Sequence, residues 1–143
     1  MSKTKLPPAS DWQSRNIDDW NVSTFTHYLQ AKHKELFGID YAPFGGTWGM
    51  EQGILGDLIG TQSRKNPKER TASNAQVKRF IDETFASYRP NARYPGTNFG
   101  FMWTYRKREW QQIQAEELSQ ARRATQSKPQ QTAEELDDLA SWL

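Results

Sequence analysis

Apolar positions along this chain recur mostly at helical rather than strand spacing. Phe25, Tyr28, Leu29 and Leu36 fall on one face of a 3.6-residue period. They predict a first helix that begins after Asn21 or Ser23, either of which is a competent N-cap, and ends at Phe37 before Gly38. Residues 39–46 hold Pro43 and two glycines and read as a loop. A second helix is predicted over 47–59, capped by Thr47, with Met50, Ile54, Leu55, Leu58 and Ile59 facing inward. Each interior glycine there costs about 1 kcal/mol relative to alanine, so tertiary packing has to hold this helix. Gly49, Gly53, Gly56 and Gly60 share a broad side open to another backbone. The pattern then lapses over 61–71 (TQSRKNPKERT), a polar, basic loop. Ser73 and Gln76 form a capping box for a third helix whose stripe is Val77, Phe80, Ile81, Phe85 and Tyr88, and Arg89-Pro90 ends it.

The next apolar stretch satisfies two periods at once. Phe99, Phe101, Trp103 and Tyr105 alternate as a strand would, whereas Phe99, Met102, Trp103, Trp110 and Ile113 suit a helix running to about Ala124. The helix-favouring residues that follow decide for one long helix, with a short strand or wing over 99–105 as the alternative. The expected fold is mainly α: a small single-domain bundle of about four helices with a C-terminal acidic peptide helix. Its divisions are a disordered arm over 1–10, a helical domain over 11–124, a flexible linker over 125–132 and an acidic amphipathic tail over 133–143.

Composition narrows the picture. Apolar residues make up 35% of the 143, yet 13% are aromatic and six are Trp, so the core is expected to be built from a few large rings. The absence of cysteine excludes disulfides and thiolate metal sites and fits a reducing cytoplasm. No apolar run approaches the roughly 20 residues needed to span a bilayer, and the first ten residues contain no signal-peptide core, so no membrane association is expected. The net charge of +2 conceals an asymmetry: residues 131–143 carry four acids and no base, while 62–108 carry eleven Lys or Arg against three acids.

Catalytic chemistry is thinly represented. His27 and His33 are not at the i, i+4 spacing of a helical metal pair and read as surface residues. The adjacent acids Asp18-Asp19, Asp82-Glu83 and Glu116-Glu117 point in different directions on a helix and read as caps or solvated positions. Gly45-Gly46-Thr47 lacks the Lys-Ser/Thr of a nucleotide-binding loop and reads as a turn. The expectation is a non-enzymatic protein without metal or cofactor.

The bases are more suggestive. Arg64, Lys65, Lys68 and Arg70 lie in the loop before the third helix, Lys78 and Arg79 at its start, and Arg106, Lys107 and Arg108 in the fourth element. Such cations supply salt-sensitive, sequence-independent phosphate contacts, which makes DNA the expected partner. The second helix, loop and third helix also sketch a long-looped helix-turn-helix. A merely solvated surface, or a patch for an acidic protein, is the alternative to DNA contact. Trp103, Tyr105 and Trp110 interleave with Arg106 to Arg108 as base-stacking rings would, although a chain this small needs them for its core. In the tail, Leu136, Leu139, Trp142 and Leu143 share a helical face flanked by acids that include Glu135 and Asp138. This is the layout of a helix that orders as it enters a partner's groove; folding back onto its own body is the other outcome.

Residues 20–44 (WNVSTFTHYLQAKHKELFGIDYAPF) together with 78–105 (KRFIDETFASYRP and YPGTNFGFMWTY) resemble small accessory proteins that bacteriophages encode for DNA replication or transcription. The terminus DDLASWL is similar to the acidic, leucine- and aromatic-rich tails with which phage proteins grip a sliding clamp, though here Ala140-Ser141 separates the apolar anchors. The resemblance implies a phage DNA-replication accessory protein, working in the host bacterial cytoplasm, that contacts DNA and recruits a sliding clamp or helicase. The alternative is a transcription regulator or inhibitor that binds RNA polymerase or another host protein.

Overall fold

The computed structural model describes the backbone of residues 6–141, apart from 63, 64 and 66, and side chains up to residue 125. The protein is mainly helical. Among the described residues five α-helices follow in order: α1 (Val22–Phe37), α2 (Gly49–Ile59), α3 (Asn74–Ser87), α4 (Phe99–Tyr105) and α5 (Lys107–Ser141), with 3-10 turns at Ile17–Asp19 and Phe44–Gly46. Among the described residues there is no β-strand, only an isolated antiparallel bridge between Thr61 and Lys68. The chain divides into two compact units, Met1–Glu109 and Trp110–Leu143.

In the first unit the strongest local signals become two capping boxes. Asn21 accepts from the Thr24 N–H while Thr24 answers the Asn21 N–H, and Ser73 and Gln76 do the same for α3. Gly38 closes α1 in the left-handed region at φ 74°. Ser73→Ala is expected to lower stability by about 1 kcal/mol, the usual cost of losing an N-cap oxygen. Urea unfolding checks this: the midpoint should fall at unchanged slope, and an unmoved midpoint would deny the cap any role.

The main packing pairs run in the cyclic order α1, α2, α4, α3 and back to α1. Their shared interior is rich in rings, as the composition requires. Trp20, Phe25, Tyr28, Phe80, Phe85 and Phe99 are buried with Leu29, Leu55, Val77, Ile81 and Met102. Two predicted faces are rotated. On α1, Leu36 is exposed and His33 is buried, because the last turn packs through His33 and Phe37 against Phe85. On α2, Met50 is exposed and Glu51 lies fully inside with Leu55, Leu58 and Ile59. Thr47 does not cap α2, whose N-cap is Trp48 without a side-chain bond.

The α2 glycines serve only at their C-terminal end. A Cβ at Gly53 would meet nothing, whereas one at Gly60 would press on the Lys68 carbonyl and the Arg70 backbone. Gly60, at φ 84°, turns the chain so that Thr61 pairs with Lys68. Asn74 then ties this loop to the N-terminal segment, its amide nitrogen donating to the carbonyls of Ile17 and Trp20 at 2.7 and 2.8 Å. The arm predicted to be disordered is bonded in its described part, since Arg15 Nε donates to the Pro7 carbonyl at 2.8 Å.

Residues 99–105 are helical and the strand alternative is not adopted, but the single long helix is interrupted. Arg106 leaves helical geometry at φ −119° and ψ 33°. Aromatic and β-branched residues crowd α4, and strong helix formers resume only afterwards. The second unit is helical, with Trp110 and Ile113 buried and Leu118 exposed among its described side chains. The α5 backbone runs through 125–132, where a linker is predicted; apart from Pro129, the residues there tolerate a helix. The side chains of Glu135, Leu136, Asp138 and Leu139, and all of Trp142 and Leu143, lie outside the described residues.

Candidate nucleic-acid interface

Most of the predicted basic surface is engaged within the protein. Lys68 Nζ pairs with Asp57 at 2.7 Å. Arg70 Nη1 donates to the Ala72 carbonyl and to Asn74 Oδ1, at 3.0 and 2.8 Å, and holds the start of α3. Lys78 pairs with Asp82 at 2.8 Å and sits over the Tyr28 ring, while the other Asp82 oxygen accepts from the Tyr28 hydroxyl. Burial, reinforced by Asp82, pushes that hydroxyl far above its ordinary range and keeps it a donor. Arg79 pairs with Glu83 at 2.5 Å. Lys68, Arg70, Lys78 and Arg79 are thus engaged in holding the fold. Besides the Ile17–Asp19 turn, the main helical partners of α3 are moreover α1 and α4, so α2 and α3 do not form a helix-turn-helix pair. Lys65 is exposed and Arg64 lies outside the described residues.

The other predicted bases border a different surface. Residues 84–108 contain five Lys or Arg, seven aromatic rings and no acid. The loop between α3 and α4 is shaped by Asn91, whose Oδ1 accepts from the N–H groups of Arg93 and Tyr94 at 3.0 and 2.8 Å. The Tyr88 hydroxyl donates to the Tyr94 and Gly96 carbonyls, 2.7 and 2.9 Å away, and burial raises its pKa. This loop and α4 enclose an open cleft of about 550 Å3, lined among others by Tyr88, Arg89, Tyr94, Asn98 and Phe101. Tyr94 is 57% exposed, Phe101 37% and Tyr105 68%. Phe101 and Tyr105 are one turn apart with ring centroids 4.9 Å from each other. Arg93 lies over the Tyr94 ring at 5.4 Å. Arg106 reaches from the end of α4 to Ser87 Oγ at 2.7 Å and to Glu109 at 2.9 Å, Lys107 covers Trp103 at 4.3 Å, and Arg108 is exposed.

A buried carboxylate aims this surface. Glu51 Oε2 accepts the N–H groups of Phe44 and Gly100 at 2.8 and 3.1 Å, and Oε1 accepts the Tyr41 hydroxyl at 2.5 Å. Tyr41 accepts in turn from the Phe99 N–H at 2.7 Å. Burial and the neighbouring carboxylate drive the Tyr41 hydroxyl well above its ordinary range, so it remains a donor. Two N–H groups at the start of α4 are thereby fixed to α2 and to the loop before it, and Asn98 Oδ1 accepts a third, from Phe101, at 2.8 Å. Gly100 sits against Phe44, and a side chain there would collide with that ring. The result is a short helix with Phe99 and Met102 inward and Phe101 and Tyr105 outward.

The sequence reading names Arg106 to Arg108 among its candidate bases and assigns Tyr105 to the core, where the structure leaves it exposed; it does not single out Arg89, Arg93, Tyr94 or Phe101. The acid-free run over 84–108 is the signal that marks them. Of the rings proposed for stacking, Trp110 is buried and Trp103 half-buried beneath Lys107. His33 is no surface residue: Nδ1 donates to the Ile39 carbonyl at 3.1 Å and Nε2 accepts from the Thr97 N–H at 3.2 Å. Asp82 and Glu83 are each held by a base of their own helix. Among the described residues no cluster of His, Cys, Asp or Glu is placed to hold a metal ion, and no helix is long and apolar enough to cross a membrane. Comparison with known proteins returns no match among family models, curated sequences or solved structures.

Proposed function

We propose that this is a non-enzymatic accessory protein of phage DNA replication, which contacts nucleic acid and recruits a replication protein in the host cytoplasm. The observation that carries the first half is the set of exposed rings and arginines over 88–108, a run with no carboxylate of its own in which Arg89, Arg93 and Arg108 are exposed, while Arg106 is taken up by Glu109 beyond it. Cations that no acid neutralises are the ones that displace counterions from a phosphate backbone. The second half rests on the sequence of the tail, where Leu136, Leu139, Trp142 and Leu143 supply the anchors and Glu135 and Asp138 the steering charge. Pull-down with the full chain and with a chain ending at residue 131 distinguishes a clamp or helicase from RNA polymerase as the partner.

Fluorescence anisotropy of a labelled oligonucleotide across a salt series tests the first half. The triple variant Arg89→Ala, Arg93→Ala, Arg108→Ala is expected to weaken binding by about tenfold or more at low salt. For every phosphate left without its cation, the log–log salt slope should flatten by about 0.7–0.9. Lys78→Ala with Arg79→Ala, which removes bases already paired inside the protein, should change affinity by less than about twofold. Salt-independent binding, or a larger effect from the second pair than from the triple variant, would overturn this assignment of the surface.

A further inference from the structure

We infer that the cleft between the α3–α4 loop and α4 receives unpaired bases of a single strand, an inference that rests on the reading of this surface as a nucleic-acid contact. Three rings project beside it, Tyr94 from the loop and Phe101 and Tyr105 from α4. A base in a duplex presents only its edges, since both its faces are covered by neighbouring pairs. A base in a single strand offers a free face, and an exposed ring flanked by guanidinium groups is the surface that face stacks on. Arg89 on the cleft wall and Arg93 over Tyr94 stand where the phosphates linking stacked bases would run. Phe101 and Tyr105, one helical turn apart, lean on each other with ring centroids 4.9 Å apart and together broaden the stacking face.

Hydrogen-bond readout is poorly provided. Asn91 Oδ1 accepts two loop N–H groups, Asn98 Oδ1 accepts the Phe101 N–H, and Asn98 Nδ2 donates to the Ala42 carbonyl at 3.1 Å. The acceptor oxygens of both amides are thus spent on holding the cleft's shape. The contact therefore discriminates by strandedness and depends little on base identity, except where stacking strength differs.

The test uses the full chain and three labelled probes of twelve nucleotides: a thymidine strand, the matching duplex, and a strand of abasic spacers that keeps the phosphates and removes every base. The thymidine strand is expected to bind at least about tenfold more tightly than either of the others. Tyr94→Ala and Tyr105→Ala should each weaken it by about 5- to 100-fold, the range for removing one stacking ring, and leave the abasic strand nearly unchanged. Tyr105→Phe should restore the affinity. Both tyrosines are more than half exposed, so unaltered far-UV circular dichroism is expected. Equal binding of all three probes, with the salt dependence intact, would overturn the single-strand inference and leave the nucleic-acid reading standing. Failure to bind any probe would overturn both.

Discussion

Glu51→Ala is expected to remove about 3–5 kcal/mol of stability, within the summed cost of the buried donors it would leave without an acceptor. The side chain is fully buried and receives three donors, the Tyr41 hydroxyl and the N–H groups of Phe44 and Gly100. Alanine leaves all three without the acceptor they share, and each unsatisfied buried group costs about 1–3 kcal/mol. Relief of the desolvated charge offsets part of this, so the sum is not the full total of the three. Glu51→Gln keeps one carbonyl acceptor but turns an NH2 group toward donors, so it should fall between alanine and the native protein. Urea unfolding reads the loss as a lower midpoint at unchanged slope. A drop below about 1 kcal/mol would mean that the start of α4 is held by something else. Against a total stability of about 5–15 kcal/mol, the expected loss is a substantial fraction of the margin.

Phe80→Ala should cost about 3–5 kcal/mol, the usual range for emptying a buried phenylalanine site. The ring is wholly enclosed and meets Phe99 and Trp103 edge-on, with centroids 6.2 and 6.0 Å away. It is the peg on α3 against which the inner face of α4 rests. Its removal should therefore also weaken oligonucleotide binding at Phe101 and Tyr105, residues it does not help expose. Phe80→Leu, which retains most of the volume, should recover most of both properties. A stability loss of the expected size with unaltered oligonucleotide affinity would show that α4 keeps its place without this ring.

How much of this was legible in the sequence depended on whether the deciding interaction was local. The caps of α1 and α3 were readable because both partners lie within four residues, Asn21 with Thr24 and Ser73 with Gln76. So, in principle, was the engagement of Lys78 and Arg79 within the fold, since Asp82 and Glu83 stand four residues on. The Lys68–Asp57 pair was not readable, because it needs the turn at Gly60 to bring the loop back over α2. His33 and Glu51 escaped for another reason. A pattern that counts apolar residue types places polar ones outside, yet each has its polar atoms satisfied by groups distant in sequence, Thr97 for the first and Gly100 for the second. The break at Arg106 follows from a fall in helix propensity along the aromatic run, a signal present but outweighed by the strong helix formers beyond it. The location of the candidate interface was half legible: the surplus of charge was plain, whereas which cations stay uncommitted was a tertiary fact.

Gly100 sets an unusual limit on how this protein can be improved. The commonest way to stiffen a short helix is to trade glycine for alanine, which ordinarily gains up to about 1 kcal/mol. Here the added methyl would drive into Phe44 and pull the backbone N–H off Glu51, so the residue with the weakest intrinsic preference for a helix is the one that lets this helix dock. An engineer seeking a hardier version would have to work from the opposite wall, trimming Phe44 first and accepting a looser hinge beneath the display of Phe101 and Tyr105.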